Sequence, residues 1–266
     1  MQESDFSDVN EEPVLTPERI TKPIKKSKDF SFSPFVILGF FPSLYSYIKN
    51  HFSMVYTGYT NKLFPYYTFE FESQLITFQF PGIGAPLTGT LLEESISLGG
   101  EIFIFFGRSG VLKEEICKDT IIIPTSALID EGTSSHYTAS GRYSYPDKHL
   151  VSLICKTMKE NKYSSHKGKV WTTDGVYRET PSKIKKVREK GCIAVDMEAS
   201  ALFTIAKFHK KRIAGFFVPS DYVSLKEWKQ FKPDNDIIKP AMMFRLALYV
   251  INKYRKERDA KQINKQ

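Results

Sequence analysis

The chain has 266 residues, 41% hydrophobic and 26% charged, with a net charge of +8. This supports one large α/β domain with a substantial core. It excludes a membrane span, since no apolar run is long enough, and three scattered cysteines (Cys117, Cys155, Cys192) indicate reduced thiols rather than a disulfide framework or zinc site.

Residues 1–29 read as a mobile arm, acidic first and basic later, with Pro13, Pro17 and Pro23 and no apolar period. Its acidic, polar start is not a secretory signal, so a cytoplasmic protein is expected. The domain spans 30–255. Phe35 to Leu38 form a first strand ending at Gly39. Tyr66–Phe71 and Gln74–Phe80 read as strands paired through a Glu72-Ser73 turn. Gly82-Ile83-Gly84 is a tight turn, and Pro86 suits the first turn of a helix running to Leu98. Glu101–Phe106 and Thr120–Ile129 are buried strands, and Asp147–Glu160 is an amphipathic helix. Lys169–Thr173 is a strand, Ser182–Lys190 a short charged helix, and Cys192–Val195 a strand before a helix over Ala199–Phe208. Ile213–Val218 is the last strand, Ile237–Tyr254 a closing helix, and 256–266 a basic tail. Alternating strands and helices imply a single α/β domain with a mixed, mostly parallel central sheet flanked by helices.

Several junctions can carry chemistry. Asp196 and Glu198 flank Met197 where an apolar strand enters a helix. Carboxylates there can accept hydrogen bonds from a vicinal diol, or simply favour a helix N-terminus. Gly107-Arg108-Ser109-Gly110 follows an apolar strand; its amides could cradle an anion, with Arg108 adding charge, or it could be a plain turn. Val176 and Tyr177 close the segment Trp171-Thr172-Thr173-Asp174-Gly175, where aromatics serve as core or as a stacking platform. Ser220-Asp221 comes after Phe216-Phe217-Val218-Pro219; Asp221 could protonate a leaving group or act as an N-cap for the next segment. His51, His136, His149, His166 and His209 lack metal-ligand spacing, so no metal is expected. The basic stretches, Lys22–Lys28 and Lys253–Lys265, do not interleave aromatics as base stacking requires. They read as solvated surface, and neither a nucleic-acid nor a membrane partner is expected.

Val195-Asp196-Met197-Glu198-Ala199-Ser200-Ala201-Leu202-Phe203 resembles the signature of the nucleoside phosphorylase superfamily. Gly82-Ile83-Gly84-Ala85-Pro86, Phe103 to Gly110, Glu131 to Tyr137, Thr173 to Tyr177 and Ser220-Asp221 resemble further family segments in the same order. The resemblance implies cleavage of the N-glycosidic bond of a nucleoside, purine favoured, by phosphorolysis to free base and ribose 1-phosphate. It implies that Glu198 holds the ribose hydroxyls, with Met197 and Asp196 beside it. Val176, Tyr177 and Ser220 then line the base site, and Asp221 is the catalytic acid. Gly39, Arg108, Ser109 and Gly110 fall at the phosphate site. Phosphate is the co-substrate, no cofactor is implied, and a homo-oligomer, dimer or hexamer, is expected. Three arginines that the family uses for phosphate are missing: none follows Gly39, the Tyr56–Phe64 segment has only Lys62, and Phe105 takes the third place. Hydrolysis is therefore the alternative, and a non-catalytic nucleoside-binding or scaffold protein the second alternative.

Overall fold

The structure, a computed structural model, describes residues 11–59, 62–231 and 239–263. Residues 1–10 of the expected arm, 264–266 of the tail, Thr60 and Asn61 of the Tyr56–Phe64 segment, and Ile237 and Ile238 of the expected closing helix lie outside the described residues.

The strands are β1 (Phe35–Gly39), β2 (Met54–Tyr59), β3 (Pro65–Phe71), β4 (Gln74–Gln79), β5 (Ile102–Val111), β6 (Ile121–Asp130), β7 (Tyr143–Ser144), β8 (Ser165–Thr173), β9 (Cys192–Asp196), β10 (Arg212–Val223) and β11 (Trp228–Gln230). The helices are α1 (Pro17–Lys25), α2 (Leu44–His51), α3 (Ala85–Leu98), α4 (Lys148–Glu160), α5 (Pro181–Glu189), α6 (Ala199–Phe208) and α7 (Pro240–Ile263). None of the described helices is long and apolar enough to cross a membrane.

All strands join one mixed sheet in the order β11-β10-β6-β8-β9-β5-β1-β4-β3-β2, with β7 on β6. Strand β10 also pairs with β5, so β5, β10, β6, β8 and β9 close into a ring. The long central pairings, β10 on β5 and β6 on β8, are parallel. Largely apolar, buried runs in β5, β6 and β10 explain this centre, because both faces of such strands must be covered. Along β1, Phe35 and Ile37 enter the core beneath α2, α4 and α7, while Val36 and Leu38 enter the core beneath α3 and α6. Burying each Phe or Ile of this kind contributes about 1.5–3 kcal/mol.

Local chemistry fixes several boundaries. Glu72 and Ser73 both have positive φ (47° and 58°), the two-residue turn that matches strand twist. The Asp147 side chain accepts from Leu150 N at 2.9 Å and starts α4. Within the expected arm, Pro17–Lys25 form α1 despite Pro23; Pro17 occupies its first turn, and Thr21 Oγ1 meets Ser97 Oγ of α3 at 2.7 Å. Helices α1 and α2 have nine and eight residues and strands β2 and β11 six and three; elements this short give little periodic signal, and the sequence reading has none of them. Helix α7 runs through the first part of the expected tail, to Ile263. Strand β5 continues through Gly107–Gly110, which corrects the turn expected there, and β10 continues through Ser220-Asp221 to Val223.

Candidate active site

A cavity of about 730 Å³ opens at the carboxyl ends of β5, β9 and β10, the place where open α/β sheets leave room for ligands. Asp196, Met197, Glu198, Val176, Tyr177, Ser220, Asp221, Arg108, Ser109 and Gly110 all line it. Of the positions singled out in the sequence, Gly39 is not among the lining residues. A Cβ there would come within 2.6 Å of the Phe78 ring, so Gly39 is a close-packing position and its neighbour Phe40 faces the cavity instead.

One end is built on the β9–α6 junction. Asp196 Oδ1 accepts from Glu198 N (2.8 Å), Ala199 N (2.7 Å) and Thr172 Oγ1 (3.0 Å). Asp196 thus holds the start of α6, while its buried Oδ2 has no partner among the described residues. Burial pushes its carboxyl up to about 6. Glu198 Oε1 accepts from Gly84 N at 2.7 Å. Gly82 and Gly84 have φ of 77° and 88°, a backbone that favours glycine, so this turn exists to aim an amide at Glu198. Burial, then the Asp196 charge, pushes Glu198 up to about 8. Behind the junction, Glu131 accepts from Ser200 Oγ (2.8 Å) and Ser134 N (3.0 Å) and braces α6. His136 belongs to that bracing loop and not to the cavity lining.

The opposite end is assembled from separate segments. Strand β10 has a bulge between Pro219 and Asp221, which re-aims the chain as it reaches the cavity. Asp221 Oδ1 accepts from Ser220 Oγ, and Oδ2 accepts from Trp228 Nε1 at 2.9 Å. Oδ2 also lies 3.2 Å from where a Cβ on Gly110 would stand, so Gly110 clears space for this carboxylate. Glu179 lines the same cavity and is pushed up to about 7 by burial first and by the Asp221 charge second. Tyr177 is 96% exposed and Trp228 64%, placing both rings at the rim.

The third region is the end of β5. Arg108 pairs with Val218, Ser109 with Pro219, and Gly110 with both Asp221 and Val195. This backbone belongs to the sheet, so the residues expected in an open turn are strand residues. Two side-chain groups of this segment line the cavity: Arg108, and Ser109, whose Oγ is buried without a hydrogen-bond partner among the described residues.

Sequence reading missed Glu179, Trp228, Phe40 and Thr172. Trp228 alone left a signal, as a single tryptophan in the polar stretch Ser224-Leu225-Lys226-Glu227-Trp228-Lys229.

Similarity to known proteins agrees with this architecture. The chain is 28% identical over 194 residues to a uridine phosphorylase of Treponema pallidum, covering 67% of this chain and 73% of that protein. It is 26% identical over 126 residues to a guanosine phosphorylase of Halorubrum lacusprofundi, 47% of this chain and about half (52%) of that protein's length. The solved AMP nucleosidase of Bacteroides thetaiotaomicron shares the fold, with a TM-score of 0.75 over 92% of this chain and 100% of that one at 18% identity. The family model described as the phosphorylase superfamily matches residues 34–239, and the chain belongs to that superfamily.

Proposed function

We propose that this chain cleaves the N-glycosidic bond of a purine nucleoside and transfers the ribosyl group to phosphate. The observation that carries the reading is Glu198, a buried carboxyl group oriented by Gly84 N–H at the closed end of the cavity. Two ribose hydroxyls donating to it would favour its ionised form. As the bond to the base breaks, positive charge grows on the ribosyl ring, and this carboxylate stabilises it. Met197 lines the cavity beside Glu198. Asp221 faces the leaving base as its acid, with Ser220 beside it and Val176 and Tyr177 at the rim. Arg108 and Ser109 receive phosphate.

Hydrolysis is the second reading, favoured by one observation: Asp196, Glu198, Glu179 and Asp221 share the lining with Arg108, its sole Lys or Arg among the described residues. A phosphate dianion needs compensating charge that this lining supplies poorly. Base release from a panel of purine and pyrimidine nucleosides, with and without phosphate, separates the readings. Phosphorolysis gives ribose 1-phosphate, hydrolysis gives free ribose, and no release from any nucleoside refutes both. The exposed aromatic rim supports a homo-oligomer, which native mass spectrometry would count.

A further inference from the structure

We infer that Arg188 is a positioning residue for the proposed acid: it clasps the β10–β11 hairpin to α5 and so fixes where Asp221 and Trp228 stand in the cavity. The inference rests on the reading of this cavity as a nucleoside site. The hairpin carries three lining residues, Asp221, Val223 and Trp228. Asp221 stands opposite Gln230, Tyr222 opposite Lys229 and Val223 opposite Trp228. The root of the hairpin is secured. Phe231 N donates to Ser220 O at 2.9 Å, and Tyr222 and Phe231 pack against the core. The tip has less support: β5 accompanies β10 only as far as Tyr222, and all three residues of β11 are exposed.

Arg188 reaches that tip from the last turn of α5. Its Nη2 donates to Val223 O at 2.9 Å, and its guanidinium carbon lies 6.0 Å from the centre of the Tyr222 ring. An arginine drawn out of water usually pairs with a carboxylate. No carboxylate pairs with Arg188 among the described residues, and its contacts go instead to the two residues that follow Asp221. Its Nε is buried without a hydrogen-bond partner among the described residues, so the side chain is held in this pose at a cost.

Helix α5 does not need this contact to stay in place. Ile184 and Val187 already bury it in one cluster with Trp171, Val195 and Val223. At its other end, α5 continues from the segment that brings Val176, Tyr177 and Glu179 to the cavity. Glu179 sits there in a three-residue turn, with Thr180 N donating to Arg178 O at 2.9 Å. Through Arg188, α5 therefore joins that segment to the hairpin. The join matters because an acid must stand within about 2.6–3.2 Å of the atom that it protonates, and a displacement of about 1 Å can cost about 10²-fold. Asp221 and Val223 are two positions apart in one strand, so a hairpin that slips at Val223 carries the carboxylate with it. A guanidinium suits the task because it donates in its plane while offering a flat face to a ring; an ammonium donates but lacks that face.

The test compares wild type, Arg188→Met and Arg188→Lys on a purine nucleoside and on a nitrophenyl riboside, whose leaving group needs no proton. Arg188→Met should lose about tenfold in kcat/KM on the purine and less than about threefold on the nitrophenyl riboside. Arg188→Lys, which keeps the charge, should lie between wild type and Arg188→Met on the purine. Adding Trp228→Phe to Arg188→Met should cost little beyond the larger single loss, because both act through the placement of Asp221. Hydrogen exchange gives a readout without turnover. In Arg188→Met the amide of Ser224, which donates to Glu227 O at 2.9 Å across the hairpin turn, should exchange faster, while the amides of α6 keep their wild-type rates. Equal losses on the two substrates, or a purine rate within about twofold of wild type, overturn the positioning role, as do losses that multiply with Trp228→Phe. Unchanged exchange in the hairpin overturns the clasp. If wild type cleaves no nucleoside, the reading of the site falls, while hydrogen exchange still judges the clasp.

Discussion

At the end proposed to hold ribose, Asp196, Met197, Glu198 and Ala199 are consecutive in the chain, and Glu198 is only 6% exposed. At the end proposed to hold the base, Glu179, Asp221 and Trp228 come from three segments, and the rim residue Tyr177 stands almost wholly in solvent. The first end is rigid because backbone amides hold one oxygen of each carboxyl group: Glu198 N and Ala199 N on Asp196 Oδ1, and Gly84 N on Glu198 Oε1. The second depends on a bulge, a tight turn and a short edge strand contributed by separate segments. On the proposed function, sugar recognition is thus set by the fold, and base recognition by attachments to it.

The largest expected effect falls at the rigid end. Glu198→Gln should keep the fold and lower kcat/KM by about 10²-fold or more, because a charge-assisted contact of about 1.5–3 kcal/mol is lost where charge develops. Steady-state turnover beside a circular dichroism spectrum checks this. Next comes the anion region: Arg108→Ala should remove the phosphate dependence of base release, at least tenfold in apparent phosphate affinity. A phosphate titration checks it, and saturation unchanged by the substitution would exclude Arg108 from the site. At the loosely built end, Trp228→Phe removes the donor to Asp221 Oδ2, and purine turnover should fall by only about 3–10-fold, the size of one neutral hydrogen bond. A larger loss would show that β11 is as firmly built as the β9–α6 junction.

The smallest effect concerns stability. The folded Glu198 carboxyl is pushed up to about 8, above the ordinary carboxylate value, so folding favours its neutral form. Its contribution is fully present below the unfolded value near 4.3 and is lost as pH rises through about 8. Glu198→Gln cannot ionise and should gain about 2–4 °C in Tm over wild type at pH 9, with no gain at pH 4. Thermal melts at the two pH values check the sign.

Much of the core and the ribose end could be read from the sequence because the relevant residues are close in the chain. A buried strand, two carboxylates and an apolar helical period succeed one another between Cys192 and Phe208, and local pattern reveals all three. The glycines at 82 and 84 were likewise readable as a turn, though not as the donor to Glu198. Glu179 left no such trace. Its place in the cavity depends on a three-residue turn and on Asp221, 42 positions away. The Gly107–Gly110 segment misled for a related reason: two glycines suggest a turn, but Gly110 is there to admit the Asp221 carboxylate and Val195 at close range. Closure of the five-strand ring rests on the β10–β5 and β9–β5 pairings between distant strands, which no local period encodes.

The claim that Glu198 grips the ribose is tested most directly by kcat/KM for a ribonucleoside and its 2′- and 3′-deoxy analogues in wild type and in Glu198→Gln. Wild type should discriminate against each deoxy analogue by about tenfold or more, and Glu198→Gln should flatten that discrimination, because the carboxylate that the hydroxyls meet is gone. Equal discrimination in the two proteins would contradict the assignment and move the ribose hydroxyls to another part of the cavity.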